Sequence, residues 1–344
     1  NNSFKEIDIN VEERPTGEIS LTAGFGTTGE TIGAGIKENN FLGKGIKLNT
    51  NLELTSDSIK GQFIYAKPNF NYSDNTLFTS LKSSTTDLLK NSGYKTSEIG
   101  FSLGTEYEQF QNIFLSPEID FLIEDLETSD KASTILKKQE GSYTDLYFNY
   151  SINQDLRDKK FRTESGYVTT FSQELPLMSD NSEFSNAFTI TNYKKLSSTS
   201  DMVGKMSFFG KTITGLSDDV RISKRLNVPS SRLRGFQRGK VGPVENNDYI
   251  GGNHVTSLNF SATLPTIVQG LDNLDVGIFL DAANVWGVDY DSSIDDKSAL
   301  RSATGLALNL MTPIGPLSFS FANALTKASS DKTETFRFNL GTQF

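Results

Sequence analysis

Hydrophobic and polar residues alternate along most of this chain with a period of two. In residues 18–25, one face of the predicted strand carries Ile19, Leu21, Ala23 and Phe25, and the other carries Glu18, Ser20, Thr22 and Gly24. The same alternation recurs over residues 46–54 and again over residues 336–344. Because successive side chains of a strand point to opposite faces, the pattern predicts β-strands and not helices.

The polar face of these strands distinguishes two all-β architectures. A soluble sandwich also alternates, but here the polar set contains Lys, Glu, Arg and Asn on strand after strand, as expected of a water-filled interior. No run approaches the ~18 apolar residues that a transmembrane helix needs. That criterion does not detect transmembrane barrels, whose strands place apolar side chains at every second position. We therefore expect an all-β protein, a transmembrane antiparallel β-barrel.

The spacing of the predicted strands supports this architecture. About sixteen alternating segments are separated by short turns and longer polar stretches in turn, which is the arrangement of outer-membrane barrels. Four long stretches are predicted as outward-facing loops, namely residues 83–95, 126–141, 214–253 and 288–300. Within the second of these, residues 128–139 are expected to form a short surface helix.

The first residues of the chain follow a different pattern. Phe4, Ile7, Ile9 and Val11 are expected to lie on a strand of a separate small domain that is truncated upstream. Residues 12–17 then form a linker. The expected organisation is a domain remnant with its linker over residues 1–15 and a barrel over residues 16–344.

Composition limits the chemistry of the chain. Cysteine is absent, so neither a disulfide framework nor a thiolate metal site is expected. The single histidine, His254, excludes most histidine-based metal sites and catalytic pairs, and no Ser–His–acid arrangement is visible. An enzyme, a cofactor site and a metal site are therefore not expected.

One basic segment departs from the acidic character of the chain. Residues 221–240 contain seven Lys or Arg and no Asp or Glu, in a chain of formal net charge -9. In the predicted strand over residues 274–284, Asp281 lies on the face opposite Leu280, and a charge facing lipid costs a few kcal/mol, so Asp281 is expected to face the lumen. An arginine fork binds such a carboxylate well. The residues alone leave two positions open for the basic segment, a loop inside the barrel or a solvated loop beside lipid phosphates, and they favour the solvated loop.

Several motifs taken in order resemble the outer-membrane protein assembly factor (BamA) family, which is related to the mitochondrial sorting and assembly barrel and to two-partner secretion transporters. The resemblance rests on seven segments, namely residues 11–17, 39–45, 232–243, 251–253, 279–286, 313–317 and 336–344. Each segment is weak alone, but their order covers essentially the whole chain. It implies that residues 1–15 end a periplasmic POTRA domain and that the long basic loop folds into the lumen.

The resemblance also implies which residues form the lumen site. The loop motif would be Arg232, Arg234, Gly235 and Phe236, with Arg234 paired to Asp281 and with Phe279 and Asn259 as further lumen partners. The chain departs from the family pattern twice. Residues 227–230 replace a glycine pair, and Asn259 stands where relatives often carry a lumen-facing Glu.

Closure of the barrel would join the first strand to the last, and the resemblance implies a lateral gate at this seam. The gate residues would be Ile19, Ser20, Leu21, Thr22 and Gly24 on the first strand, and Phe336, Phe338, Asn339, Gly341 and Phe344 on the last. Glycines at the seam weaken strands. They are equally compatible with relief of crowding in the lumen. Terminal Phe344 resembles the signal carried by barrel clients, or it anchors at the membrane interface.

The expected function is therefore a non-enzymatic insertase of the bacterial outer membrane. The implied partners are unfolded outer-membrane β-barrel proteins, the lipid bilayer with lipopolysaccharide, and accessory assembly lipoproteins bound through upstream domains; no nucleic acid is expected. The alternatives are a transporter that secretes a polypeptide through its lumen, and a passive porin.

Overall fold

The computed structural model describes residues 12, 14–27, 29–160, 162–265, 273–312 and 315–341. Within these residues, sixteen antiparallel strands close into one barrel, and each strand pairs with its neighbours in chain order. This confirms the predicted fold class. The expected strand over residues 1–11 and the terminal Phe344 lie outside the described residues.

The barrel strands run as follows: β1 Gly17–Gly26, β2 Gly29–Phe41, β3 Ile46–Thr55, β4 Ser58–Lys67, β5 Thr76–Leu88, β6 Tyr94–Phe110, β7 Ile113–Thr128, β8 Gly141–Asp155, β9 Gly166–Ser179, β10 Glu183–Lys195, β11 Val203–Gly215, β14 His254–Thr263, β15 Leu274–Trp286, β16 Arg301–Thr312, β17 Gly315–Thr326 and β18 Phe336–Leu340. A small hairpin, β12 Val244–Glu245 and β13 Asp248–Tyr249, lies in the loop between β11 and β14. The described helical segments are one short helix, α1 Thr134–Lys137, and three 3-10 turns, Phe70–Tyr72, Ile222–Lys224 and Ser230–Arg232.

The outer surface of the barrel is apolar, as the alternation predicts. On β6, Ile99, Phe101 and Leu103 point outward and are about half exposed, whereas Ser102 between them is buried inside. A continuous apolar exterior of this kind is favourable against lipid and unfavourable against water. No helix among the described residues is long and apolar enough to cross a membrane.

Two details of the sequence prediction are wrong. Residues 83–95 are mostly strand, because β5 continues to Leu88 and β6 begins at Tyr94, paired to each other without interruption. The segment looked like a loop because its Ser and Thr residues are polar on both faces, and a sheet that rises into water needs no apolar face. The helix expected over residues 128–139 shrinks to α1, which Ser133 caps by accepting a hydrogen bond from the amide of Leu136 at 3.2 Å.

The seam between the first and last strands is described as far as Gly341. β1 pairs with β2 over ten residues, but its described pairing with β18 consists of Phe25 with Leu340 and Gly26 with Asn339. Gly341 follows with a φ of 91°, and a Cβ atom there would lie 2.1 Å from the carbonyl oxygen of Ala23. Glycine at position 341 is thus required by a close backbone approach across the seam, which neither interpretation of the seam glycines had specified.

The chain enters the barrel through a hydrogen-bonded junction with the end of β2. The ladder between β2 and β3 is irregular after Glu38, which frees Asn39 and Asn40 from regular pairing. The Asn39 backbone amide donates to the carbonyl of Thr16 at 3.2 Å, and the Glu38 carboxylate accepts from the Thr16 hydroxyl and, at 2.7 Å, from the Asn40 amide. The irregularity in β2 therefore fixes the residue that precedes β1.

Candidate functional site: the lumen loop and the seam

The connection between β11 and β14 folds back into the barrel. Leu233, Phe236 and Val241 from this loop pack against Val255 and Val285 of the wall in one buried cluster. Phe236 is 1% exposed. The loop predicted to fold into the lumen is found there, and the solvated outer loop that the residues alone favoured is wrong, because Phe236 is buried and because Arg221 and Arg234 pair with carboxylates of the barrel strands.

Arg234 and Asp281 form the contact that the family resemblance implied. Arg234 donates from Nε to Oδ2 and from Nη2 to Oδ1 of Asp281, both at 2.7 Å, and its backbone amide donates to Oδ2 at 3.1 Å. The carbon of the guanidinium lies 3.5 Å from the centre of the Phe279 ring. Asp281 is fully buried, so its charge depends on this arginine for neutralisation.

Asn259 lies beside the pair as a neutral donor. It is the cross-strand neighbour of Asp281. Its Nδ2 donates to Asp281 Oδ1 at 2.8 Å and to the carbonyl of Arg232 at 2.6 Å. Arg232 stacks over the ring of Phe209, with its guanidinium carbon 4.5 Å from the ring centre. The Asn259 amide thus holds both the Asp281 carboxylate and the loop backbone.

Glycine is required at position 235 for two separate reasons. Its φ is 86°, in the left-handed region that glycine occupies without strain. A Cβ atom at this position would also lie 3.0 Å from Ala303 Cβ and 3.1 Å from Ala322 Cβ. The motif therefore needs glycine both for its turn and for its close packing on β16 and β17.

A second buried cation, Arg221, was missed by the sequence analysis. Its guanidinium contacts three carboxylates, Glu124 at 3.1 Å, Asp145 at 2.6 Å and Glu183 at 3.1 Å, and every side chain in this cluster is at most 2% exposed. Burial opposes the charge, but hydrogen bonds and charge interactions with Glu183, Glu124 and Asp145 outweigh it, so the pKa of Arg221 rises above its ordinary value. The alternation of side chains on β7 could have placed Glu124 in the lumen, because Glu124 lies on the face opposite the outward Phe121 and Ile123. The sequence does not show that carboxylates of β7, β8 and β10 meet one arginine.

Further ionic contacts hold the outer part of the loop. Arg225 donates to the carboxylate of Asp289, which also accepts from the Val220 amide at 3.0 Å. Burial acts to raise the pKa of Asp289, but these hydrogen bonds and the charge of Arg225 hold it below the ordinary value. The loop is therefore held at the start of its basic segment as well as at Arg234.

The last strand also touches the loop. Arg337 on β18 donates from Nη1 to the carbonyl of Ser230 at 2.7 Å and from Nη2 to the carbonyl of Phe236 at 2.6 Å. Its Nε donates to Glu334 at 3.1 Å. The alternation over residues 336–344 marks Arg337 only as a polar position of the last strand and does not show which backbone carbonyls it meets.

The gate residues named from the sequence divide between the two faces. Ile19 and Leu21 face outward and are 78% and 82% exposed, and Phe338 faces outward with its ring 5.8 Å from that of Phe25 across the seam. Phe336 packs on Phe321, with ring centres 5.0 Å apart. Gly24 is buried, and Asn339 pairs with Gly26.

A cavity of about 780 Å³ occupies the lumen behind β1 to β6. Ser20 and Thr22 of β1 line it, together with charged and amide side chains of the next strands. The loop fills the opposite side of the barrel, so the inner face of β1 adjoins open space.

Comparisons with known proteins agree with this geometry. The Omp85 superfamily domain matches residues 40–344. Two curated relatives are outer membrane protein assembly factors BamA, from Neorickettsia risticii (24% identical over 348 residues, 98% of this chain and 46% of the relative) and from Neisseria meningitidis serogroup B (23% over 396 residues, 98% and 48%). The chain thus spans about half the length of the curated relatives it matches.

Solved structures share the fold. BamA from Haemophilus ducreyi lacking POTRA domains 1–3 superposes with a TM-score of 0.82 at 23% identity, covering 97% of this chain and 71% of that one. CdiB from Acinetobacter baumannii gives a TM-score of 0.55 at 15% identity, covering 95% and 60%. CdiB from Escherichia coli gives 0.58 at 13%, covering 97% and 64%.

Proposed function

Since the chain belongs to the Omp85 superfamily, we propose that it is the barrel of an outer-membrane protein assembly factor, which inserts β-barrel proteins into the bacterial outer membrane. The names of its BamA relatives and its likeness to a BamA barrel support this proposal. The machine is non-enzymatic: it uses strand pairing and needs no cofactor.

The observation that carries the mechanism is the seam between β1 and β18, which differs in its described pairing from the other strand pairs of the barrel. β1 is paired along its whole length with β2 but, among the described residues, with β18 at two positions. Backbone groups left unpaired at bilayer depth are costly, so an open β1 edge strongly favours any strand that can satisfy them. The seam is then a lateral gate, and an incoming client strand adds to β1.

The buried loop keeps one side of the barrel wall in place while the seam opens. The paired Arg234 and Asp281 fix the loop against the wall opposite β1 to β6, which leaves the cavity behind β1 free. Such a buried pair specifies one conformation of the loop more than it adds net stability.

The partners follow from this role. They are unfolded outer-membrane β-barrel proteins as substrates, the bilayer and lipopolysaccharide around the barrel, and accessory lipoproteins bound by POTRA domains upstream of Gly17. No nucleic acid takes part.

A reversible lock on the seam tests the proposal. The chain has no cysteine, so Phe25→Cys with Leu340→Cys, a register pair across the seam, introduces one possible disulfide. The matched control is Ile278→Cys with Leu306→Cys, an outward pair between β15 and β16. Each full-length protein is reconstituted in liposomes with an unfolded test barrel, oxidised or reduced.

We expect oxidation of the seam pair to abolish assembly, reduction to restore it, and the control pair to assemble in both states. Full assembly by the oxidised seam pair would refute gating. A locked protein that still moves an extended polypeptide across the membrane would instead identify the secretion transporter.

A further inference from the structure

The last strand is held from inside the barrel by the lumen loop. Arg337 points from β18 into the lumen and is 13% exposed at its side chain. Its two terminal nitrogens donate to the carbonyls of Ser230 and Phe236, which lie on either side of Arg234 and Gly235. The Arg337 side chain of the last strand thus forms hydrogen bonds with the loop motif at two points.

The segment that precedes β18 makes further contacts with the same motif. The amide of Glu334 donates to the carbonyl of Gly235 at 3.0 Å, and the amide of Gln237 donates to the carbonyl of Lys332 at 2.9 Å. Phe236 and Thr333 form an antiparallel bridge between these two hydrogen bonds. The loop motif is therefore joined to the start of β18 by backbone as well as by Arg337.

The two edges of the seam differ in how they are held. β18 is bonded to β17 over five residue pairs and to the loop through Arg337 and residues 332–334. Toward β1, its described residues have two register pairs and one further hydrogen bond, from the Thr27 amide to the carbonyl of Phe338 at 3.1 Å. On the other side of the seam, β1 is bonded to β2 along its whole length, and its Ser20 and Thr22 face the cavity.

We propose that Arg337 is a positioning residue that latches the last strand to the lumen loop, so that β18 is the fixed edge of the seam and β1, moving with β2, is the edge that separates. This inference rests on the gate of the proposed function and adds which edge moves. The loop motif then acts on the gate through contact with its last strand, in addition to its own docking on Asp281.

Arginine suits this position for a geometric reason. Its planar fork presents parallel donors that reach two carbonyls at once, while its Nε remains for Glu334. Lysine has a single ammonium group on a flexible stem, and glutamine has one donor group. Either replacement satisfies one carbonyl and leaves the other without its partner.

Hydrogen exchange measures the latch without any assembly assay. In the full-length protein in lipid, Arg337→Ala should speed exchange of the amides of β18 about 100-fold or more, since it removes two charge-assisted bonds. Exchange in β8 to β10 should not change. Arg337→Lys should give an intermediate rate. Lys327→Ala, which removes an exposed cation from the same connection, should match the wild type.

Unchanged exchange of β18 in Arg337→Ala would overturn the latch. Equal acceleration in all strands would also overturn it, because it would assign Arg337 to general stability. Both results are independent of whether the protein assembles clients, so failure of the proposed function is recognised separately.

A covalent latch tests which edge moves. Gln237→Cys with Lys332→Cys places a disulfide between two exposed neighbours of the Phe236 bridge. If β18 stays with the loop during each cycle, the oxidised protein should assemble clients as well as the reduced one, in contrast to the lock across the seam. Loss of assembly on oxidation, with recovery on reduction, would show that β18 must leave the loop and would refute the proposal.

Discussion

Removal of the carboxylate of Asp281 should release the loop without unfolding the barrel. Breaking a buried ion pair by deleting one partner costs about 3–5 kcal/mol. Arg234 is 21% exposed and still reaches lumen water, so the lower end, about 3 kcal/mol, applies to Asp281→Ala. At 1.36 kcal/mol for each factor of ten, the undocked loop becomes roughly 100-fold more populated.

The amide of Gln237 is a suitable probe, because it donates to the carbonyl of Lys332, which lies outside the loop, and it should lose this bond when the loop leaves the wall. In Asp281→Ala, the exchange rate of this amide should rise by the same factor as the population of the undocked loop. Heat-modifiable gel mobility should still show a folded barrel, and assembly of a test barrel should fall. Arg234→Ala should behave in the same way, and the double variant should cost little more than either single one, since the two side chains act as one unit.

The control lies on the same strand and the same face. Asp275 also points away from lipid, but it is 47% exposed at its side chain and pairs with the half-exposed Arg162, at 3.3 Å. Exposed pairs contribute about 0–1 kcal/mol, so Asp275→Ala should change the exchange of Gln237 by less than about fivefold. Equal effects of Asp275→Ala and Asp281→Ala, or wild-type exchange and assembly in Asp281→Ala, would refute the reasoning.

Three further substitutions probe the loop, with the exchange of the Gln237 amide and liposome assembly as common measurements. Gly235→Ala should weaken loop docking by about 2 kcal/mol or more in free energy, because alanine is strained at this φ and its methyl group would meet Ala303. Unchanged exchange of Gln237 in this variant would contradict the packing argument. Arg221→Ala should destabilise by about 3–5 kcal/mol, because three buried carboxylates lose their cation; Glu174→Ala, an exposed carboxylate on β9, should leave stability unchanged. Asn259→Asp should weaken docking, since a donor to Asp281 becomes a second negative charge; docking as tight as in the wild type would show that the amide has no such role.

Much of the fold could be predicted from the alternation of side chains, because every second residue of a barrel strand meets lipid and must be apolar. The limits of the strands could not, since β5 and β6 continue into water where polar residues on both faces are tolerated. The alternation of side chains on β15 correctly predicted that Asp281 faces the lumen. The residues alone favoured a solvated loop, and the resemblance to a family supplied the arginine that meets Asp281.

The contacts of Arg221 and Arg337 mark the limit of sequence reasoning. Glu124, Asp145 and Glu183 lie on three strands, and their convergence depends on barrel curvature and strand register. Arg337 binds backbone carbonyls, which carry no signature in side-chain sequence. Both arginines could be recognised as polar positions, but their partners required the three-dimensional structure.

The positions of the arginine partners along the chain imply an order for the folding of the barrel itself. The carboxylates that hold Arg221 lie on β7, β8 and β10, which precede the loop in the chain, whereas Asp281 on β15 and Arg337 on β18 follow it. The loop can thus settle on the first strands while the later ones are still unpaired, which shortens the effective distance over which those strands must search. The bonds from Arg337 would be among the last to form, when the chain already has a nearly complete wall around its loop.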